Sequence, residues 1–110
     1  MAKQTDLMKG TLQLLVLKTL ALEPRHGVGI AERIGQMTRG TFDVKAGSLF
    51  PALHRLEQNG AIAGHWGPSE NNRRARFYTL TRVGRAQLTK EKRNWRKGFT
   101  AVNLLLETEV

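Results

Sequence analysis

Apolar residues recur along this chain in two rhythms, and each rhythm predicts an element. The run LQLLVLKTLAL, residues 12–22, is apolar on nearly every side of a helix. A buried helix is therefore expected over about 8–22. Glu23-Pro24 stops it, because a residue before proline is pushed out of the helical region. Ile30, Ile34 and Met37 stand at i, i+4 and i+7 and predict a second helix over about 27–38. Gly40, just past its end, suits a left-handed cap. Leu49, Leu53 and Leu56 form the apolar stripe of a third helix, closed by the turn signal Asn59-Gly60. Pro51 tolerates a first helical turn, where its missing N–H has no partner to lose. The regular part of this helix is accordingly placed from about Ser48; a start at Ala46 with local distortion is the alternative.

A two-residue rhythm takes over elsewhere. TFDV, 41–44, alternates and predicts a very short strand. AIAGHW, 61–66, and ARFYTL, 75–80, predict two longer ones, with Trp66 closing the core beneath them. Between them GPSENNRRA, 67–75, is a hairpin loop with a basic tip. Thr81 then serves as the N-cap of a last helix running to about 108. Its apolar positions Leu88, Trp95, Phe99, Val102 and Leu106 are spaced 7, 4, 3 and 4, which makes a heptad seam.

The predicted fold class is mainly α with a small β-hairpin (α+β). In a helix-turn-helix, the second helix of the pair lies in the DNA major groove. Helices two and three fit that pair, and the basic hairpin after them fits a wing. The division expected is a winged helix-turn-helix over 1–81 and a C-terminal helix over 82–110.

Charge sharpens this picture. The 110 residues suit one globular domain, with 40% hydrophobic residues and a net charge of +9. Residues 61–97 hold ten of the 18 Lys/Arg and only two of the nine Asp/Glu. An excess this local favours a polyanion-binding surface, nucleic acid before an anionic membrane, over charge spread for solubility.

Other chemistry has little to stand on. There are no cysteines, so disulfides and thiolate metal sites are excluded. His26, His54 and His65 are too dispersed for a metal motif. The two serines, Ser48 and Ser69, lie in no nucleophile motif. Neither an enzyme nor a cofactor is expected. The start MAKQTDLMKG has no apolar signal-peptide region and no apolar run approaches 18 residues. A cytoplasmic protein without a membrane partner is the expectation.

KGTLQLLVLKTLALEPRHGVGIAERI, GSLFPALHRLEQNGAI and RRARFYTLTRVGRAQL together resemble the PadR family of winged-helix transcriptional regulators. The resemblance covers about 8–106, and its most specific part is the Gly-Ser-Leu-aromatic-Pro-Ala-Leu-x-Arg-Leu-Glu core. It implies a dimeric repressor of duplex DNA in which the last helix forms much of the dimer interface, here Leu88, Trp95, Phe99, Val102 and Leu106. It also turns the start of the third helix toward the groove. Ser48, Phe50, Pro51, His54 and Arg55 lie off the leucine stripe and become DNA-contact candidates. Arg73, Arg74 and Arg76 of the wing and Lys45 before the helix are phosphate candidates. The chain departs from the family where Val28 and Phe50 replace the usual tyrosines, so two hydroxyl contacts are missing.

Some alternatives stay open. Trp95 either packs a homodimer or, paired with its copy, flanks a pore for a small flat apolar effector. Lys90, Lys92, Arg93, Arg96 and Lys97 read as the solvated flank of a paired helix. The same fold also hosts protein-interaction modules without specific DNA binding. RNA binding usually relies on aromatic platforms, and aromatic residues are only 6% here.

Overall fold

The computed structural model describes residues 4–109, with side chains from Gly10 onward. The order is α1 (Gln4–Leu22), β1 (Arg25–His26), α2 (Gly27–Met37), α3 (Ala46–Gln58), β2 (Ile62–Pro68), β3 (Arg74–Leu80) and α4 (Arg82–Glu107). This is the α+β winged-helix architecture that the two rhythms predict.

Helix α1 lies at the centre, against α2, α3, α4 and β3. That position explains why it is apolar on several sides: Leu12, Val16, Leu17 and Leu20 are all buried. Buried Thr19 donates its hydroxyl to the Leu15 carbonyl at 2.8 Å, so its polarity is satisfied within the helix. Ile30 and Ile34 of α2, Leu49, Leu53 and Leu56 of α3, Ile62, Tyr78 and Leu88 complete the core. Leu88, the first position of the heptad seam, is therefore already covered by its own chain.

Three elements depart from expectation. β1 has only two residues, too few for any alternation to show. It pairs antiparallel with β3, giving the sheet order β1-β3-β2. TFDV forms no strand. Phe42 and Val44 do turn onto the core, so the alternation is real, but the described residues offer this segment no strand to pair with. Helix α3 starts at Ala46, not Ser48, and Pro51 lies inside it. A proline there cannot donate to the Gly47 carbonyl one turn earlier. Gly47 is exposed, so water can satisfy that carbonyl.

Local chemistry fixes the helix ends. His26 caps α2, its Nδ1 accepting from the Gly29 N–H at 2.9 Å. At the other end Gly40 N–H donates to Gly35 O and Arg39 N–H to Gln36 O, the paired bonds of a Schellman turn. Gly40 has a φ of 78° as expected, but Arg39 before it is also left-handed, at 52°. Helix α3 closes the same way on Gly60, with φ 77°.

Thr81 caps α4 as predicted. Its hydroxyl accepts from the Gly84 N–H at 3.0 Å and lies 2.6 Å from the Gly60 carbonyl, to which it can donate. The first turn of α4 is thereby bound to the α3–β2 junction. The contact is close: a Cβ on Gly84 would lie 2.0 Å from the Ala61 carbonyl oxygen. Beyond Leu88 the helix leaves the core, and the molecule reaches 58 Å in its longest dimension.

Candidate nucleic-acid interface

Helix α3 divides as its sequence pattern requires. Leu49, Ala52, Leu53 and Leu56 are buried, while Ser48, Phe50, Pro51, His54 and Arg55 are exposed. Lys45 stands immediately before the helix and forms an exposed 2.7 Å ion pair with Asp43. Such a pair is weak in water and readily exchanged for another anion.

Phe50 is only half exposed because of α2. A Cβ on Gly27 would meet the Phe50 ring at 2.9 Å, so the ring occupies the space that a side chain at 27 would take. Phe50 thus joins the starts of α2 and α3. Beside it Val28 is exposed. A cleft of about 680 Å³ opens between this pair and the hairpin, lined also by His26, Asn71 and Phe77. The α2 start, α3 start and hairpin together make a concave surface.

The hairpin follows one register, from Ile62 opposite Leu80 to Pro68 opposite Arg74. Cross-strand partners share a face, so one face carries Ile62–Leu80, Gly64–Tyr78, Trp66–Arg76 and Pro68–Arg74 in succession. Ile62 is buried and Trp66 is 55% exposed. The expectation that Trp66 closes the core is therefore corrected: Trp66 stands on the outer, exposed half of β2, beyond the buried Ile62. Two guanidiniums cover the indole instead, Arg74 at 5.0 Å and Arg76 at 5.6 Å from the ring centroid.

Arg76 also reaches back to α3. Its Nη2 donates to Glu57 Oε2 at 2.5 Å, with both side chains about one third exposed. That hydrogen bond raises the guanidinium pKa from its ordinary value, against the opposing effect of desolvation. Gly64 makes the reach feasible, since a Cβ there would lie 2.6 Å from the Arg76 guanidinium. Arg76 therefore ties the wing to α3, whereas Arg73 and Arg74 near the tip are exposed. Sequence reasoning missed Glu57, Gly64 and Trp66 as members of this surface. On the opposite sheet face His26, Phe77 and His65 form a row across all three strands, with centroids 5.4 and 6.0 Å apart.

The α4 seam lies elsewhere. Trp95 and Phe99 stack at 4.9 Å with their rings nearly parallel. Both are exposed, as are Val102, Leu104, Leu105 and Leu106. Among the described residues no group of three His, Asp or Glu side chains could hold a metal, and no helix is long and apolar enough to cross a membrane.

Known proteins with this geometry and sequence agree on a family. The profile of the transcriptional regulator PadR-like family matches residues 16–90. Transcriptional regulator Rv3488 of Mycobacterium tuberculosis is 30% identical over 88 residues, 80% of this chain and 78% of that protein. A PadR-like transcriptional regulator from Bacillus cereus has a solved structure with a TM-score of 0.79 and 27% identity, covering 94% of this chain and 99% of its own. A PadR family regulator from Eggerthella lenta gives 0.80 and 29%, covering 94% and 88%. With most of its length matched by the family profile, and its winged helix and long last helix shared with these solved structures, the chain belongs to the PadR-like family of transcriptional regulators.

Proposed function

We propose that this regulator binds duplex DNA as a homodimer and represses from a palindromic operator. Residues 1–81 hold the DNA and 82–110 pair the subunits, although Gly84 and Leu88 root the pairing helix in the first unit. The observation that carries the reading is the exposed face of α3, joined through the Glu57–Arg76 pair to the arginine-bearing wing.

In this reading Ser48, Pro51, His54 and Arg55 enter the major groove, where side chains can distinguish base pairs. Phe50 packs its outer edge against a sugar or a thymine methyl. Lys45, Arg73 and Arg74 neutralise phosphates, supplying affinity more than specificity. Arg76, held by Glu57 and Trp66, sets the angle of the wing and contacts DNA at most from that fixed position. The exposed Trp95–Phe99 seam pairs with its copy, together with Val102 and Leu106. The stacked rings also offer a flat apolar effector a place between subunits.

The test is selection of bound duplexes from a random pool. A recovered palindrome with half-sites about 34–36 Å apart supports the reading. Absence of enrichment over input overturns it in favour of a protein-interaction module. Within a recovered site, Arg55→Ala should change base preference at its position, whereas Arg74→Ala should weaken all sequences alike.

A further inference from the structure

Helix α4 carries a second feature that the seam does not use. Arg82, Arg85, Arg93 and Arg96 stand at i, i+3, i+11 and i+14, with Thr89 between the pairs. At about 100° per residue these positions fall on one face. That face is centred about 110° around the helix from the Trp95–Phe99 seam, so covering the seam leaves it open. All four arginines are exposed, and none forms an ion pair among the described residues. The acids of α4 are Glu91, which accepts a hydrogen bond from Gln87, and Glu107, which lies on the stripe's face about 16 Å beyond Arg96.

This placement works against the helix itself. The N-terminal end of a helix is partially positive and the C-terminal end partially negative. The first turn of α4 nevertheless has no acid, the last turn has no base, and Glu107 stands at the C-terminal end. Arginines at i, i+3 also repel each other. The stripe therefore does not stabilise the isolated helix, as a solvated flank of alternating charge would. It becomes favourable when an anion neutralises it. Two arginine pairs three turns apart, about 16 Å, fit an extended polyanion better than a single small ion. Arginine suits phosphate in particular, because its planar fork donates two parallel hydrogen bonds.

We propose that this stripe is a second, sequence-independent docking surface for the phosphate backbone of duplex DNA, separate from the phosphates gripped by α3 and the wing. The inference rests on the DNA-binding reading above and extends it. Each chain then holds DNA at two places, and the dimer at four.

The experiment measures affinity for a 60-base-pair duplex of random sequence as salt is raised. The proteins are the full-length wild type, R82Q/R85Q/R93Q/R96Q, the wing variant R73Q/R74Q, and all six changes combined. R93Q/R96Q, far from the packed first turn of α4, serves if the fourfold variant does not fold. Circular dichroism and light scattering check helix content and oligomeric state. Each lost phosphate contact lowers the log–log salt slope by about 0.9. The fourfold variant should therefore lose about two to four units, R93Q/R96Q one to two, and the sixfold variant more than the wing variant alone. An unchanged slope in a folded stripe variant overturns the inference and leaves the DNA-binding reading standing. A wild type that binds no duplex overturns both. A stripe variant that keeps the wild-type salt slope for the duplex but loses the wild type's affinity for polyglutamate also overturns the inference, by making the partner an acidic protein.

Discussion

At Gly84 the backbone of α4 meets the Ala61 carbonyl so closely that a methyl group has no room. The Thr81 hydroxyl, accepting from the Gly84 N–H and donating to the Gly60 carbonyl, holds the two segments together on one side and the Leu80 side chain closes the other, so neither can easily retreat. Gly84→Ala should cost on the order of 3 kcal/mol by overpacking, the upper end of what such insertions cost. Urea unfolding followed by circular dichroism would measure it, and a change below about 0.5 kcal/mol would show that the α3–β2 junction yields. Single residues were also where the sequence spoke least. The exposed group on α3 could be picked out, because a helix face follows from spacing alone. The role of Arg76 could not. Its tie to Glu57 depends on a hairpin register and on a missing side chain at 64, and neither is written in local periodicity. Trp66 was misplaced for a related reason. Alternation reveals which face a strand residue shares, but not where the covering helices end.

Among the elements, the long helices were the most legible. α1, α2 and α4 follow runs of three or more apolar positions at helical spacing, and Thr81 and Gly40 mark the start of α4 and the turn after α2 in place. β1 was invisible because two residues cannot alternate, and TFDV misled because alternating burial does not require a neighbouring strand. The end of α2 carries one local conflict. Arg39 occupies the left-handed position that glycine prefers, immediately before a glycine that is left-handed as well. Arg39→Gly should stabilise the domain by about 1 kcal/mol, since a side chain in that conformation costs about that much or slightly more. A rise in thermal midpoint of several degrees would be the sign. No change would mean that the Arg39 side chain makes up the difference.

For the whole molecule, the exposed end of α4 is the decisive feature. Trp95, Phe99, Val102 and Leu106 line an apolar seam that the single chain leaves exposed, and exposed apolar patches of this kind mark interaction sites. Phe99→Glu should convert the dimer proposed here to a monomer in light scattering and weaken operator binding at least tenfold, because two half-sites would no longer be held together. A dimer that persists would place the interface away from this seam. Leu88→Ala should act differently. That residue belongs to the core of the single chain, so its loss should lower stability by about 2–5 kcal/mol whether or not the chain is paired.

The wing is a two-stranded ribbon projecting past the helices, a shape that would ordinarily sway. Here the Arg76 guanidinium threads through the gap left by Gly64, rests on an indole and ends on a carboxylate of α3. Freedom that a loose ribbon would surrender on closing around a partner has already been given up during folding. The contacts proposed for Arg73 and Arg74 would therefore form with less entropy still to lose. Filling position 64 with even a methyl group would return that freedom to the ribbon, and affinity would fall although no contacting side chain had changed.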